Sequence, residues 1–283
     1  MTQIAATPDE LLLMWVQEEI RVVCARPPEL EDHPDLAMRI RGALGRVLAL
    51  AGPPIAHRHD PFDRPPPFPA LFGADEETTR PFVIDVDVLG DVIQVDLRLF
   101  GTAAFWADQC RVALVAALAA GVSIKAGSRH RCPLEPLDCL MRRVCADLPP
   151  RSVGAVSLIC LTPVAVRAGA AVLTVPPALL YAAVTRVRRL APWLDVSLTA
   201  DWAMLRSICE QARVVRDRLS PYRAVRFSQR QRDRRIPVTG LLGECRIEGD
   251  LSPLAPFLVL AEHTHIGSHA ALGMGRVRLV MYP

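Results

Sequence analysis

Phe82-Val83-Ile84-Asp85-Val86-Asp87-Val88 and Val92-Ile93-Gln94-Val95-Asp96-Leu97-Arg98-Leu99-Phe100 are separated by a turn containing Gly90-Asp91. Both runs alternate apolar and polar residues, the period of a strand with one dry and one wet face. The pair therefore predicts a hairpin. On its C-terminal side, Thr102 can cap a helix that continues through an alanine-rich run to Gly121. On its N-terminal side, Pro34 can open a helix whose Leu36, Ile40, Ala43, Leu44, Val47 and Leu48 form one apolar stripe. Arg39, Arg41 and Arg46 fall largely outside that stripe. Before it, Ile20 to Cys24 has strand character, while the stretch from Leu11 fits either a helix or a strand. Residues 123–150 are broken by prolines and read as irregular, with room for one closing strand.

The second half repeats this order. A buried strand runs through Ala155 to Leu161, a helix spans Pro177 to Trp193, and a second helix is expected over Ala200 to Leu219. Strands at Ala224–Phe227 and Leu241–Ile247 are joined by Ser228 to Thr239. A short helix from Pro253 to Glu262, a glycine-rich loop over 267–275 and an alternating strand from Arg276 close the chain. Each half fits β-α-β-β-α-β. The expected fold is α+β: two tandem ferredoxin-like domains at 1–152 and 153–283, the first with a proline-rich insertion near 53–81.

The composition bounds the class. An apolar fraction of 51% with 22% charged residues over 283 residues is that of a folded chain with a sizeable core. The longest apolar run, Val112 to Val122, is too short to span a bilayer. Asp9, Glu10, Glu18 and Glu19 do not suit a signal peptide. A cytoplasmic protein with no membrane partner is expected. The eight cysteines contain no C-x-x-C pair, so they read as small buried hydrophobes, and no metal or other cofactor is called for.

Net charge is only +3, yet Lys125 is the one lysine among the 33 basic residues. Arginine forks onto phosphate and stacks on bases, although a GC-rich genome also produces this bias. Ten arginines fall between Arg206 and Arg235, against Glu210, Asp217 and Asp233. In the last thirty residues the loop glycines leave backbone N–H groups uncovered, a geometry that suits an anion.

Four segments give this pattern a family resemblance. They are Arg41-Gly42-Ala43-Leu44-Gly45; Leu71-Phe72-Gly73 with Arg80-Pro81-Phe82-Val83-Ile84; Phe227-Ser228-Gln229-Arg230-Gln231 leading to Gly240-Leu241-Leu242-Gly243 and Gly249 to Leu254; and His265-Ile266-Gly267 with Leu272-Gly273-Met274-Gly275-Arg276. In this order the chain resembles the CRISPR-associated repeat-processing endoribonucleases of the repeat-associated mysterious protein superfamily. The resemblance implies CRISPR repeat RNA as partner, both hairpin and flanking single strand, and other subunits of an effector complex as further partners. It also implies metal-independent cleavage by 2′-hydroxyl attack, with the mature guide RNA retained. A non-catalytic RNA-binding subunit of an effector complex is the alternative. Where relatives often carry lysine and glycine after the first loop glycine, this chain has Ser268 and His269.

Such chemistry needs a proton acceptor, a proton donor and cations on the phosphate, roles suited to histidine and arginine. The family draws its catalytic histidine from near the first helix, which points to His33, His57 and His59, with Arg41 beside them. Each histidine also reads as an ordinary cap or loop residue. Catalysis by arginine alone, from Arg21, Arg39 or Arg41, is open at this stage. RNA contacts are expected from Arg226, Arg230, Arg232, Arg234 and Arg235 on the basic arm. Further contacts are expected from His265, Gly267, Ser268, Gly273, Gly275 and Arg276 around the terminal loop.

Overall fold

The computed structural model describes residues 3–30, 33, 35–51, 65–73, 79–124, 130–168, 171–173, 176–228 and 234–283. In order, the first part forms β1 (Ile4–Ala6), α1 (Pro8–Met14), β2 (Val16–Ala25), α2 (Leu36–Leu50), α3 (Pro67–Phe72), β3 (Phe82–Leu89), β4 (Val92–Phe100), α4 (Ala107–Ala119), β5 (Val122–Ser123), β6 (Arg131–Cys132) and β7 (Pro136–Cys145). The second part forms β8 (Ala155–Val164), β9 (Val166–Ala168), β10 (Ala171–Leu173), α5 (Pro177–Leu190), β11 (Val196–Leu198), α6 (Trp202–Gln211), β12 (Arg213–Ser228), β13 (Arg234–Glu248), α7 (Ala255–Thr264) and β14 (Val277–Tyr282).

Two four-stranded sheets organise the molecule, in the orders β3-β4-β2-β7 and β12-β13-β8-β14. Every pair of neighbours in them is antiparallel. Numbered within its own half, each order reads 2-3-1-4, so the fold is a tandem of ferredoxin-like units. In the first sheet Ile20, Val22, Ile93, Val95 and Leu97 are buried with Ile40, Leu44 and Leu114 of α2 and α4. In the second, Val156, Leu158, Cys160 and Ile247 are buried with Leu180, Val187, Phe257 and Leu260 of α5 and α7. The wet face of each sheet is left for other uses.

Local chemistry accounts for the boundaries. Thr7 and Glu10 form a capping box that starts α1, with the Glu10 N–H donating to Thr7 Oγ1 at 3.3 Å. This settles the ambiguous stretch from Leu11 as the end of a helix followed by a strand. Leu11, Leu12 and Trp15 lie in the second core, and β1 pairs in parallel with β11. The first residues thus cross the boundary expected at 152 and tie the two halves together.

Three local expectations differ from the structure. The helix expected over Ala200 to Leu219 ends at Gln211, and β12 follows from Arg213. Val214 and Val215 are β-branched, and Pro221 is tolerated on an edge strand where it could not sit inside a helix. Thr102 lies in a 3-10 turn, Gly101–Trp106, and α4 has no side-chain cap. Residues 136–145, read as part of an irregular region, form the edge strand β7. Leu137, Leu140 and Met141 are exposed there, so β7 lacks the alternation that marks a half-buried strand. Among the described residues no helix is long and apolar enough to cross a membrane.

Candidate RNA interface and active site

The N-terminus of α2 carries a compact polar cluster. Asp35 occupies the cap position without capping the helix. Its carboxylate instead lies 2.9 Å from His33 Nδ1 and 2.8 Å from Arg39 Nη2. Arg39 is anchored in turn, donating through Nη1 to the carbonyls of Ser123 and Ile124 at 2.6 and 2.7 Å. Arg39 and Asp35 are buried, whereas the His33 side chain is 48% exposed. The Asp35 backbone N–H also approaches His33 Nδ1, at 3.3 Å. All these contacts run through Nδ1, which leaves the Nε2 edge of an exposed imidazole for a substrate.

Tyr222, on β12, comes to this cluster from the second half. Burial, and then the negative charge of Asp35, raise its hydroxyl above the ordinary tyrosine value. The phenol thus lies within the field of the carboxylate that meets His33. Sequence reasoning passed over Tyr222. One polar residue in a basic run gives no sign that a strand will carry it to the other half.

Arg41 is not brought to His33. It lies two residues beyond Arg39, about 200° around the helix, and its guanidinium sits 4.7 Å from the centroid of the Phe72 ring. That ring stacks on Phe68. His57 and His59, together with most of the proline-rich insertion, lie outside the described residues.

The basic arm is a long hairpin, paired from Arg213↔Glu248 to Ser228↔Arg234. Arg226, Arg234 and Arg235 are on the strands near its tip, with Arg226 opposite Ile236 and Arg235 opposite Phe227. Arg230 and Arg232 lie outside the described residues. The first part of the run, expected on a helix surface, is strand from Arg213 onward.

The terminal loop does something other than expected. His265 is 0% exposed; its Nδ1 lies 2.9 Å from Met274 O and its Nε2 lies 2.8 Å from Asp85 Oδ1 on β3. Burial alone would raise the Asp85 carboxyl, but His265, Arg98 and Arg276 hold it well below the usual carboxylate range. Arg276 forks onto Asp87 at 2.6 and 3.0 Å. The missing Cβ of Gly273 makes room for Ala37 and for Ile84 O, and that of Gly275 for Ile266 O. Gly267 lies against Ala165 O, and the Ser268 N–H donates to that same oxygen at 2.6 Å. The close approach read from these glycines is real, but the protein's own backbone and side chains fill it. This corrects the expected RNA contacts of His265, Gly273 and Gly275, which are buried, and redirects Arg276 to Asp87. Gly267 and Ser268 are half-buried.

Residues 158–277 match the family of the CRISPR-associated endoribonuclease Cas6. That stretch of the chain is similar to Cas6 endoribonucleases. Solved structures agree in fold. Thermus thermophilus Cas6 is 14% identical with a TM-score of 0.60, over 94% of this chain and 98% of that one. A Cas6 product complex is 16% identical with a TM-score of 0.59, over 94% and 99%. A second Cas6 product complex is 15% identical with a TM-score of 0.58, over 94% and 100%. No curated protein matches the chain in sequence.

The Cas6 match lies in the second half, whereas the His33–Asp35–Arg39 cluster lies before it. Tyr222 falls inside the matched region and links the two. Among the described residues no group of three His, Cys, Asp or Glu side chains is arranged to hold a metal ion. Six of the eight cysteines are buried, in keeping with their reading as small hydrophobes.

Proposed function

We propose that this chain is an endoribonuclease that cuts CRISPR precursor RNA within its repeats without a metal ion and keeps hold of the mature guide RNA. The observation that carries this reading is the grouping of His33, Asp35 and Tyr222: an exposed imidazole whose Nδ1 meets the Asp35 carboxylate, and a phenol from the other half within the field of that same carboxylate. Nε2 of His33 takes the proton from the ribose 2′-hydroxyl, whose oxygen attacks the adjacent phosphorus. The Tyr222 hydroxyl donates to the departing 5′-oxygen. The P–O5′ bond breaks, leaving a 2′,3′-cyclic phosphate and a 5′-hydroxyl. Imidazole suits the first step because it titrates near neutrality. Asp35 and Arg39 position His33 and do not touch the RNA.

The arginines of the hairpin, Arg226, Arg230, Arg232, Arg234 and Arg235, grip the RNA backbone on either side of the cut. Ser268 flanks the same partner at the half-buried edge of the terminal loop. Other subunits of an effector complex would meet the chain after cleavage, with the guide still bound.

Labelled repeat RNA incubated with excess protein in EDTA tests the reading. The expected result is one cut per repeat with a cyclic phosphate end. A 2′-deoxy substitution at the cut should abolish cleavage and spare binding. Intact RNA under these conditions overturns the catalytic reading and leaves a non-catalytic RNA-binding subunit.

A further inference from the structure

One edge of the first sheet is left open. β3, at the opposite edge, meets the second half through Asp85 and Asp87. β7 is paired with β2 on one side and, among the described residues, with no strand on the other. Leu137 through Arg143 are exposed without a break, with Leu137, Leu140 and Met141 at 57%, 46% and 39%. Alternate residues of such a strand turn their N–H and C=O groups outward, a ready template for a further strand. Edges are ordinarily blunted by proline, by a bulge or by outward charge. Here Pro136 and the register shift beside it lie at the start of β7 and leave Asp138 to Cys145 in unbroken register with β2. The arginines are turned back onto β2: Arg142 donates to Glu19 at 2.9 Å and Arg143 to Glu18 at 2.7 Å.

The side chains of this edge complement themselves. Residues directly opposite one another in an antiparallel pair share a face. Two copies of β7 related by a twofold axis through Leu140 therefore set Asp138 of each opposite Arg142 of the other. Leu140 then meets its own copy, and Cys139 meets Met141. Asp138 is available for this, because its carboxylate accepts from the Cys139 N–H at 2.8 Å and has no arginine partner among the described residues. Arg142 keeps charge to spare, because Glu19 is shared with Arg21 at 3.3 Å and Arg98 at 3.9 Å. An axis through Cys139 or Met141 instead sets Asp138 opposite Leu140 or Val144 and forfeits both ion pairs.

We infer that β7 is a self-association edge: a second copy of this chain adds to it antiparallel, centred on Leu140, and joins the two four-stranded first sheets into one continuous sheet. The contact is isologous and closes on itself under a twofold axis, so it does not propagate into a fibre. Main-chain hydrogen bonds between the edges supply the adhesion, as in other strand additions. The two Asp138–Arg142 pairs fix the register, and Leu140, Cys139 and Met141 supply the apolar contact. None of His33, Tyr222 and the hairpin arginines lies on β7, so the association needs no RNA and stands apart from the function proposed above.

Sedimentation equilibrium of the full chain, without RNA, tests this. The wild type should show a mass that rises with concentration to twice that of one chain. Asp138→Arg sets arginine against arginine, and Arg142→Asp sets aspartate against aspartate. Each variant alone should therefore weaken the dimer at least about tenfold. Mixed in equal amounts, the two variants restore opposite charges at both pairs and should recover the dimer. A wild type that stays monomeric, or a mixture that associates no better than its parts, overturns the inference. Disulfide trapping reads the register without relying on the charge variants. In a Cys139→Ser, Cys145→Ser background, Leu140→Cys should link two chains on oxidation, because directly opposed Cβ atoms come within disulfide reach. Arg143→Cys, far from its own copy, should not. Linkage through Arg143→Cys and none through Leu140→Cys also overturns the inference.

Discussion

His265 Nε2 and Asp85 Oδ1 lie 2.8 Å apart although 180 residues separate them in the chain, and both side chains are fully buried. Arg98 pairs with the same carboxylate and donates to the carbonyls of Glu262 and His263 at 3.1 and 2.8 Å. With Arg276 on Asp87, these contacts clamp the wet face of the first sheet to the turn after α7. Asp85→Ala would leave His265 and Arg98 buried without their carboxylate, a loss of about 3–5 kcal/mol. Guanidinium unfolding checks this through the midpoint at unchanged slope. A change under 1 kcal/mol would show that the clamp contributes little.

Acid should weaken the same region in two steps. Burial, and then the charge of Arg98, push His263 down to about 4, from an unfolded value of about 6.5. A depressed folded value means that its contribution is complete above about pH 6.5 and is lost as pH falls towards about 4. Asp85 is depressed as well, so its contribution is complete above its unfolded value of about 3.9 and is lost below it. Stability measured from pH 7 to 4 should decline, and His263→Gln should flatten the decline. Parallel curves for wild type and variant would contradict this.

Two glycine substitutions should have opposite signs. Gly273 has φ +80°, and a Cβ there would strike Ala37 and stand 2.9 Å from Ile84 O. Gly273→Ala should cost about 1–3 kcal/mol for the strained backbone alone. Gly42 is an exposed residue within α2 with nothing near its absent Cβ. Gly42→Ala should stabilise by about 0.5–1 kcal/mol. Thermal melts of both variants decide it.

The catalytic cluster predicts a division between rate and binding. His33→Ala should reduce single-turnover cleavage by about 10²–10⁴-fold, the usual worth of a general acid or base. Tyr222→Phe should slow it at least tenfold, with RNA affinity in both variants within about threefold of wild type. Asp35→Asn should act through the orientation of His33 and slow single-turnover cleavage, with RNA affinity again within about threefold of wild type. Unchanged rates in His33→Ala and Tyr222→Phe together would remove this cluster from the chemistry.

The sequence by itself determined the β-α-β-β-α-β order, because a strand's period of two and a helix's period of 3.6 are local properties. The alternation in 82–100 and the stripe from Leu36 to Leu48 each name their buried face without help from the other half. The Cas6 resemblance was legible for the same reason, since its glycines mark backbone turns set by local conformation. The stretches that misled are those whose conformation is not local. β7 and β12 are edge strands with side chains exposed on both faces, and without alternation only pairing with β2 and β13 makes them strands. Only the tertiary structure decided what the terminal glycines face and which residues surround His33. A glycine records that something comes close, but Asp85, Ala37 and Ile84 come close only because two sheets pack together. In the same way Tyr222 comes within the field of Asp35 from far along the chain, a proximity that depends on how the halves dock.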